Sequence, residues 1–294
     1  MLEIRGINKS FVTRQVLTNM SFTIEPGRMT GFVGGNGAGK TTTMRILLGV
    51  LEADSGEVLL DGSPLSEQDR RRIGYMPEER GLYPKMKVAE QITYFARLHG
   101  LGAETAKRNT ERLLDQLGLG ERGGDTIESL SLGNQQRAQI AAALVHDPLA
   151  LVLDEPFSGL DPLAVDVVLA VLKERANAGV PVLFSSHQLD IVERLCDDIV
   201  IISGGQVRAV GSAQSLRDAH RGNRFSLESE ADGGWVREVP GISVLSFDGG
   251  HVEFDADTAE RAQLVLRGAL ERGPVHAFTP VRPSLAQIYR EVVQ

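Results

Sequence analysis

Among its 294 residues the chain has a single cysteine, Cys196, and a single tryptophan. A lone thiol excludes an intrachain disulfide framework and fits a reducing compartment, where its expected place is that of a small buried hydrophobe. No apolar run approaches the roughly twenty residues needed to cross a bilayer. Positive charge is also in short supply. With 31 Lys and Arg against 39 Asp and Glu, the net charge is -8. That balance lacks the general basic field that holds nucleic acid, though it leaves room for one local anion site. Repeats and low-complexity segments are missing, and the opening "MLEIRGINKSF" lacks the apolar core of a signal peptide. The expectation is a cytoplasmic protein whose membrane role, if it has one, runs through a partner.

What is present is a globular composition, 42% hydrophobic and 24% charged, enough to bury a core and stay in solution. "MLEIRGINKSF" and "LTNMSFTIEPGR" alternate like half-buried strands, and "GEVLLDGSPL" reads as a hairpin. From Val88 to His146 the periodicity is helical. "LALVLDEP" and "VPVLFSSH" are continuous apolar runs of the kind buried on both faces, with helices before and after them, and "DIVIISGGQVRAVG" reads as a closing hairpin. Strands alternating with helices predict an α/β core with parallel strands. The polar break "AHRGNR" then marks a linker. This divides the chain into a domain over residues 1–220, with a helical part at about 85–147, and a small α+β appendage over 221–294. No catalytic constellation is visible in the appendage; Asp248, His251 and Glu253 cluster, but hairpin alternation accounts for them.

The most specific stretch is "GGNGAGKT", residues 34 to 41, which matches G-x-x-x-x-G-K-[ST]. Backbone N–H groups wrap a phosphate only where side chains do not crowd them, hence the glycines, and the following helix N-terminus adds the positive end of a dipole. In this pattern Lys40 reaches the β and γ phosphates and the Thr41 hydroxyl holds Mg²⁺. Hydrolysis also needs a metal-anchoring acid and a group that orients water. "LVLDEP" ends a buried strand in two acids: Asp154 for the metal, Glu155 for the water.

Together with three further motifs, these stretches resemble, in family order over residues 1–220, the nucleotide-binding subunit of an ATP-binding cassette (ABC) transporter. "GGNGAGKT" corresponds to Walker A, "LALVLDEP" to Walker B, "SLSLGNQQR" to the signature motif, "SGLD" to the D-loop, and His187 in "LFSSH" to the switch histidine. The resemblance implies a P-loop NTPase cassette: a mixed sheet core, an antiparallel β subdomain and an inserted α-helical subdomain, followed by the small C-terminal α+β domain. It implies ATP and Mg²⁺ as cofactors. Nucleotide binding falls to Phe11, stacking on adenine, to Gly34, Gly35, Asn36, Gly37, Ala38, Gly39, Lys40, Thr41 and Thr42, and to Glu78. Catalysis falls to Glu155 and His187. Ser131, Leu132, Gly133, Asn134 and Gln135 would meet the nucleotide of a second subunit, with Ser158, Gly159, Leu160 and Asp161 as the D-loop. The implied partners are an integral membrane permease and a second copy or a similar cassette subunit, without nucleic acid. The implied location is peripheral, on the inner face of the cell membrane. "YMPEERGLYP" and the appendage look most like bacterial exporters of sodium or antibiotics.

Three departures stand out. Gly35 replaces the usual P-loop proline. Glu78 stands where glutamine is usual, adding a charge beside phosphates; the expectation is that Glu78 or Glu79 sits back from the γ-phosphate or serves the coupling contact. The signature reads Leu130-Ser131-Leu132-Gly133-Asn134 instead of L-S-G-G-Q. Ser131 and Gly133 keep the hydroxyl and N–H that meet phosphate, and the Leu132 side chain is expected to turn away, towards the helical subdomain. The other five histidines lack ligand spacing and read as surface or cap residues. A soluble cassette ATPase acting on ribosomes or DNA is the competing class, but it carries two cassettes or long coiled coils, and this chain has neither. A small-molecule kinase would share the P-loop but leave "SLSLGNQQR" unexplained.

Overall fold

A computed structural model describes residues 1–79, 81–220 and 222–293. Contacts divide the chain into two units, Met1–Ala213 with the last residues, and Gln214–Glu291. Each has its own apolar core.

The first unit opens with β1 (Leu2–Phe11), β2 (Arg14–Ile24), β3 (Met29–Val33) and α1 (Lys40–Leu47), then β4 (Ser55–Leu60), β5 (Ser63–Pro64), a short α2 (Glu67–Arg70) and β6 (Ile73–Met76). Three helices follow: α3 (Val88–Leu98), α4 (Ala103–Gln116) and α5 (Leu132–Leu144). The chain returns through β7 (Ala150–Leu153), α6 (Pro162–Asn177), β8 (Val182–Ser186), α7 (Leu189–Leu195), β9 (Asp198–Ser203) and β10 (Gln206–Gly211). One sheet is antiparallel, in the order β2-β1-β4-β5, and the other has the order β10-β9-β3-β8-β7-β6. In the larger sheet β6, β7, β8, β3 and β9 run parallel, and only β10 pairs antiparallel. The apolar runs of β3, β7 and β8 are buried at every position, as strands covered on both faces must be.

Register is what builds the site. Met76 pairs with Leu153, Leu153 with Phe184, and Val33 with Ser186. The carboxyl ends of β6, β7, β8 and β3 therefore lie along one sheet edge, where open α/β sheets bind ligands. The residues leaving those ends are Glu78, Asp154 with Glu155, His187 and the glycine loop from Gly34.

The second unit holds α8 (Ala213–Ala219) from its second residue, then β11 (Arg224–Ser229), β12 (Ile242–Asp248), β13 (His251–Ala256), α9 (Ala259–Arg272), β14 (Val275–Pro280) and α10 (Leu285–Val293) as far as Glu291. Its antiparallel sheet has the order β12-β13-β11-β14. Phe225, Phe254 and Phe278 stack across three adjacent strands of it. The expected linker "AHRGNR" overlaps the last residue of α8 and the first of β11, and its Arg221 lies outside the described residues.

One expectation about side chains is corrected. His146, just past α5, is not a surface residue: both its ring nitrogens are out of solvent, and its ring stacks on His99 at 3.7 Å and 7°. Leu132 stands 57% exposed on the first turn of α5. Cys196 is half-buried, with its sulfur turned inwards. Its Sγ lies where a side chain on Gly31 of β3 would collide with it, 2.7 Å away, and burial pushes the thiol pKa well up.

Candidate functional site

The glycine loop leaves β3 at Gly34 and turns into α1 through Gly39, whose φ of 107° is open to glycine but strained for other residues. A side chain there would also strike Leu17 Cδ2 at 2.5 Å. α1 then starts at Lys40 with no acid in its first turn, so its free N–H groups and dipole favour an anion. Lys40 Nζ lies over the loop, donating to Gly34 O at 2.6 Å and Gly35 O at 3.4 Å.

Across the sheet, Thr41 Oγ1 donates to Asp154 Oδ2 at 3.1 Å. Asp154 is buried, and the Ser185 hydroxyl of β8 donates to its other oxygen. A hydroxyl and one carboxylate are hard oxygen ligands. Mg²⁺ is ordinarily held by one or two such groups plus waters and substrate phosphates, so this donor set fits it. Among the described residues no group of three or more His, Cys, Asp or Glu forms a metal cage, which leaves the phosphates to complete any such site.

Glu155 follows directly and is buried, with its backbone in the left-handed region at φ 52°. Its N–H donates to Ser185 Oγ at 2.9 Å. Its carboxylate Oε1 lies 3.0 Å from His187 Nδ1, the residue that leaves the next strand, and the imidazole is 60% exposed. A buried carboxylate held beside an imidazole is an arrangement that can orient a water and take its proton.

Lys40, Thr41, Glu155 and His187 line one cavity of about 760 Å³, within the range of small-molecule sites, while Asp154 and Ser185 are buried behind its wall and do not line it. Its lining includes Gly35, Asn36, Gly37, Gly39, Lys40, Thr41 and Thr42 of the glycine loop and α1, together with Glu78, Glu155 and His187. Gly34 and Ala38 belong to the loop but do not line the cavity. Phe11, Arg14, Gln15, Val16 and Gly204 also line it. A two-residue turn with Val12 at φ 55° pairs Phe11 directly with Arg14. Phe11 is 45% exposed, and Lys9 Nζ approaches its ring to 5.7 Å while paired with Asp54. An exposed aromatic face beside a polar cleft is suited to stacking on a flat ring.

None of residues 131–135 lines this cavity. They form the surface turn that starts α5, with Ser131 as its N-cap. The D-loop lies beside them: a side chain on Gly133 would come to 3.6 Å from Gly159 O and Leu160 Cδ2. Asn134 is engaged by Arg137, and Asp161 caps α6. The sequence reading missed Arg14, Gln15, Val16 and Gly204 in the cavity, and Ser185 and Gln136 behind Glu155. The "FSS" that precedes His187 was the one local signal for Ser185.

A parallel sheet with a glycine loop, a Thr–Asp pair and a Glu–His pair at one edge defines a P-loop ATPase cassette. Comparison with known proteins carries this further. Residues 17–158 match the family described as ABC transporter, and residues 211–293 match the ATP-binding protein DrrA1-3-like, C-terminal domain. The uncharacterized ABC transporter ATP-binding protein YhaQ of Bacillus subtilis is 34% identical over 100% of this chain and 98% of its own length. A Nod factor export ATP-binding protein I of Cupriavidus metallidurans is 35% identical over 76% of this chain and 74% of its own. A solved ATP-binding subunit of an ABC transporter superposes with a TM-score of 0.69 at 31% identity, covering 75% of this chain and 93% of that one. The chain belongs to the ABC transporter ATP-binding proteins and is an ATPase of that family. None of its helices is long and apolar enough to cross a membrane, among the described residues.

Proposed function

We propose that this chain hydrolyses ATP with Mg²⁺ to drive an exporter, working as a head-to-tail dimer under a membrane permease on the inner face of the cell membrane. The carrying observation is that Glu155 and His187 meet at 3.0 Å in the cavity that Lys40 and Thr41 line, while the signature turn lies outside it. One chain thus has a phosphate-holding half and a second anion-binding turn that serves a different nucleotide.

In this reading adenine stacks on Phe11. The glycine loop and Lys40 hold the β and γ phosphates, and Thr41 and Asp154 would hold Mg²⁺, which when bound would supply charge neutralisation. Glu155 orients a water and accepts its proton as the water oxygen bonds to the γ-phosphorus. The bond to the ADP oxygen breaks, and phosphate and ADP leave. His187 steadies the carboxylate and faces the γ-phosphate. Glu78, exposed on the cavity wall, completes the loop after β6. Ser131 and Gly133 of a second copy or a similar subunit cover the γ-phosphate, so ATP joins two cassettes and hydrolysis parts them. The export direction is supported by the Nod factor export relative and by the DrrA-like match over residues 211–293. A net charge of -8 argues against nucleic acid as the partner.

Glu155→Gln is the direct test. It keeps the shape of the group but cannot take a proton, so ATP should bind within about twofold of the parent affinity while turnover falls by a hundredfold or more. Phosphate release alongside a nucleotide titration reads both. Turnover near the parent rate would remove Glu155 from the chemistry.

A further inference from the structure

Helix α5 carries two buried glutamines, Gln136 and Gln139. A buried amide is tolerated only when its donors are satisfied, and here both serve backbone carbonyls of other segments. Gln136 Nε2 donates to Glu155 O at 3.0 Å and Pro156 O at 3.1 Å. Gln139 Nε2 donates to Pro77 O at 2.8 Å and Glu79 O at 3.2 Å. One helix therefore grips the loop after β7 and the loop after β6, the two loops that bring Glu155 and Glu78 to the cavity.

The grip on Glu155 matters most, because its backbone is in the left-handed region at φ 52°. Non-glycine residues stay there only when their surroundings over-determine them. The peptide is fixed on both sides: Ser185 Oγ accepts its N–H at 2.9 Å, and its carbonyl takes Gln136 and the Ser158 N–H at 3.1 Å. The carboxylate then reaches His187 from a set position.

We propose that Gln136 is a positioning residue for hydrolysis. Its amide holds the Glu155–Pro156 backbone so that the Glu155 carboxylate stays on the attacking water. The inference rests on the reading of Glu155 as the water-orienting group. It also gives the signature helix a role in its own chain. Gln136 lies little more than one turn beyond Ser131, so a phosphate held at Ser131 by a second chain steadies the helix that supports Glu155.

The test uses the full-length chain. Gln136→Met keeps side-chain length but has no donor. Turnover should fall by ten- to a hundredfold, as expected for a displaced catalytic group, while ATP affinity stays within about twofold. Gln136→Glu supplies a buried carboxyl, which donates one hydrogen bond only when protonated. Its rate relative to the parent should therefore rise as pH falls from about 8 to 6, a recovery that a pure packing role would not give. In the Glu155→Gln background, Gln136→Met should cost little further, since both act through one group. Losses that multiply in the double variant, an unchanged rate in Gln136→Met, or a pH-independent ratio in Gln136→Glu would each overturn the proposal. If Gln136→Met does not fold, the Gln136→Glu ratio decides alone. A Glu155→Gln chain that stays active sinks the underlying reading; an inactive Glu155→Gln beside a fully active Gln136→Met sinks this proposal only.

Discussion

His146 shows how much one ring can weigh when its place cannot be read from neighbouring residues. Burial pulls its pKa from 6.5 to about 4; the nearby His99 adds to the drop and Asp147 opposes it. The unfolded chain titrates near 6.5, so it binds a proton that the folded chain refuses. Stability is intact above that value and drains as pH falls towards about 4. Between pH 7 and pH 5 the loss from this ring is roughly 2 kcal/mol. His146→Phe keeps a flat ring against His99 and removes the titration. Urea unfolding at the two pH values should show the variant losing less stability than the parent, by about that amount. Equal losses would place the acid sensitivity elsewhere. At this scale the sequence was legible where chemistry is written in consecutive letters. The glycine loop with Lys40 and Thr41, and the Asp154–Glu155 pair, each follow or end a recognisable strand. Arg14, Ser185 and Gln136 were not legible, because they matter through partners that only the sheet order supplies.

Long periodic segments declared their elements: the helices between Val88 and Leu144, the doubly buried strands and the closing hairpin are all where apolar spacing put them. Short pieces did not. The four residues of α2 and the strand β14 carry too few apolar positions to show a period. Caps separate a structural serine or acid from a functional one. Asp161 Oδ1 accepts the Ala164 N–H at 2.8 Å, with Pro162 at the first helical position of α6. The corresponding contact of Ser131 to the Asn134 N–H is long, at 3.4 Å. Asp161→Ala should therefore cost about 1 kcal/mol and Asp161→Asn only a fraction of that, since asparagine caps equally well. Ser131→Ala should cost less than Asp161→Ala in thermal unfolding and lose most in ATP turnover. A larger stability loss for Ser131→Ala would make its hydroxyl mainly a helix cap.

For the whole molecule, each cavity carries only half of what surrounds the γ-phosphate in the proposed reading, and the other half is a turn on the surface of a second chain. Association and nucleotide affinity are then one equilibrium, so ATP should bind more tightly as protein concentration rises. Glu155→Gln, expected to hold ATP without turning it over, should convert the 31.8 kDa chain to a species of twice that mass when ATP and Mg²⁺ are added. Gly133→Asp isolates the interface. Gly133 is the second residue of α5, where a carboxylate suits the helix dipole, and a side chain there meets its nearest neighbours at an ordinary 3.6 Å. The fold should stand, and so should ATP binding by each single chain, because residue 133 does not line the cavity. Opposite the γ-phosphate of a second chain, however, the new charge repels. Sedimentation of Glu155→Gln with Gly133→Asp should give a single chain at ATP concentrations that make Glu155→Gln alone a dimer, and the separation should weaken with added salt as screening grows. A dimer that survives this substitution would place the signature turn away from the shared nucleotide, and the two halves of the site would have to be joined by some other face.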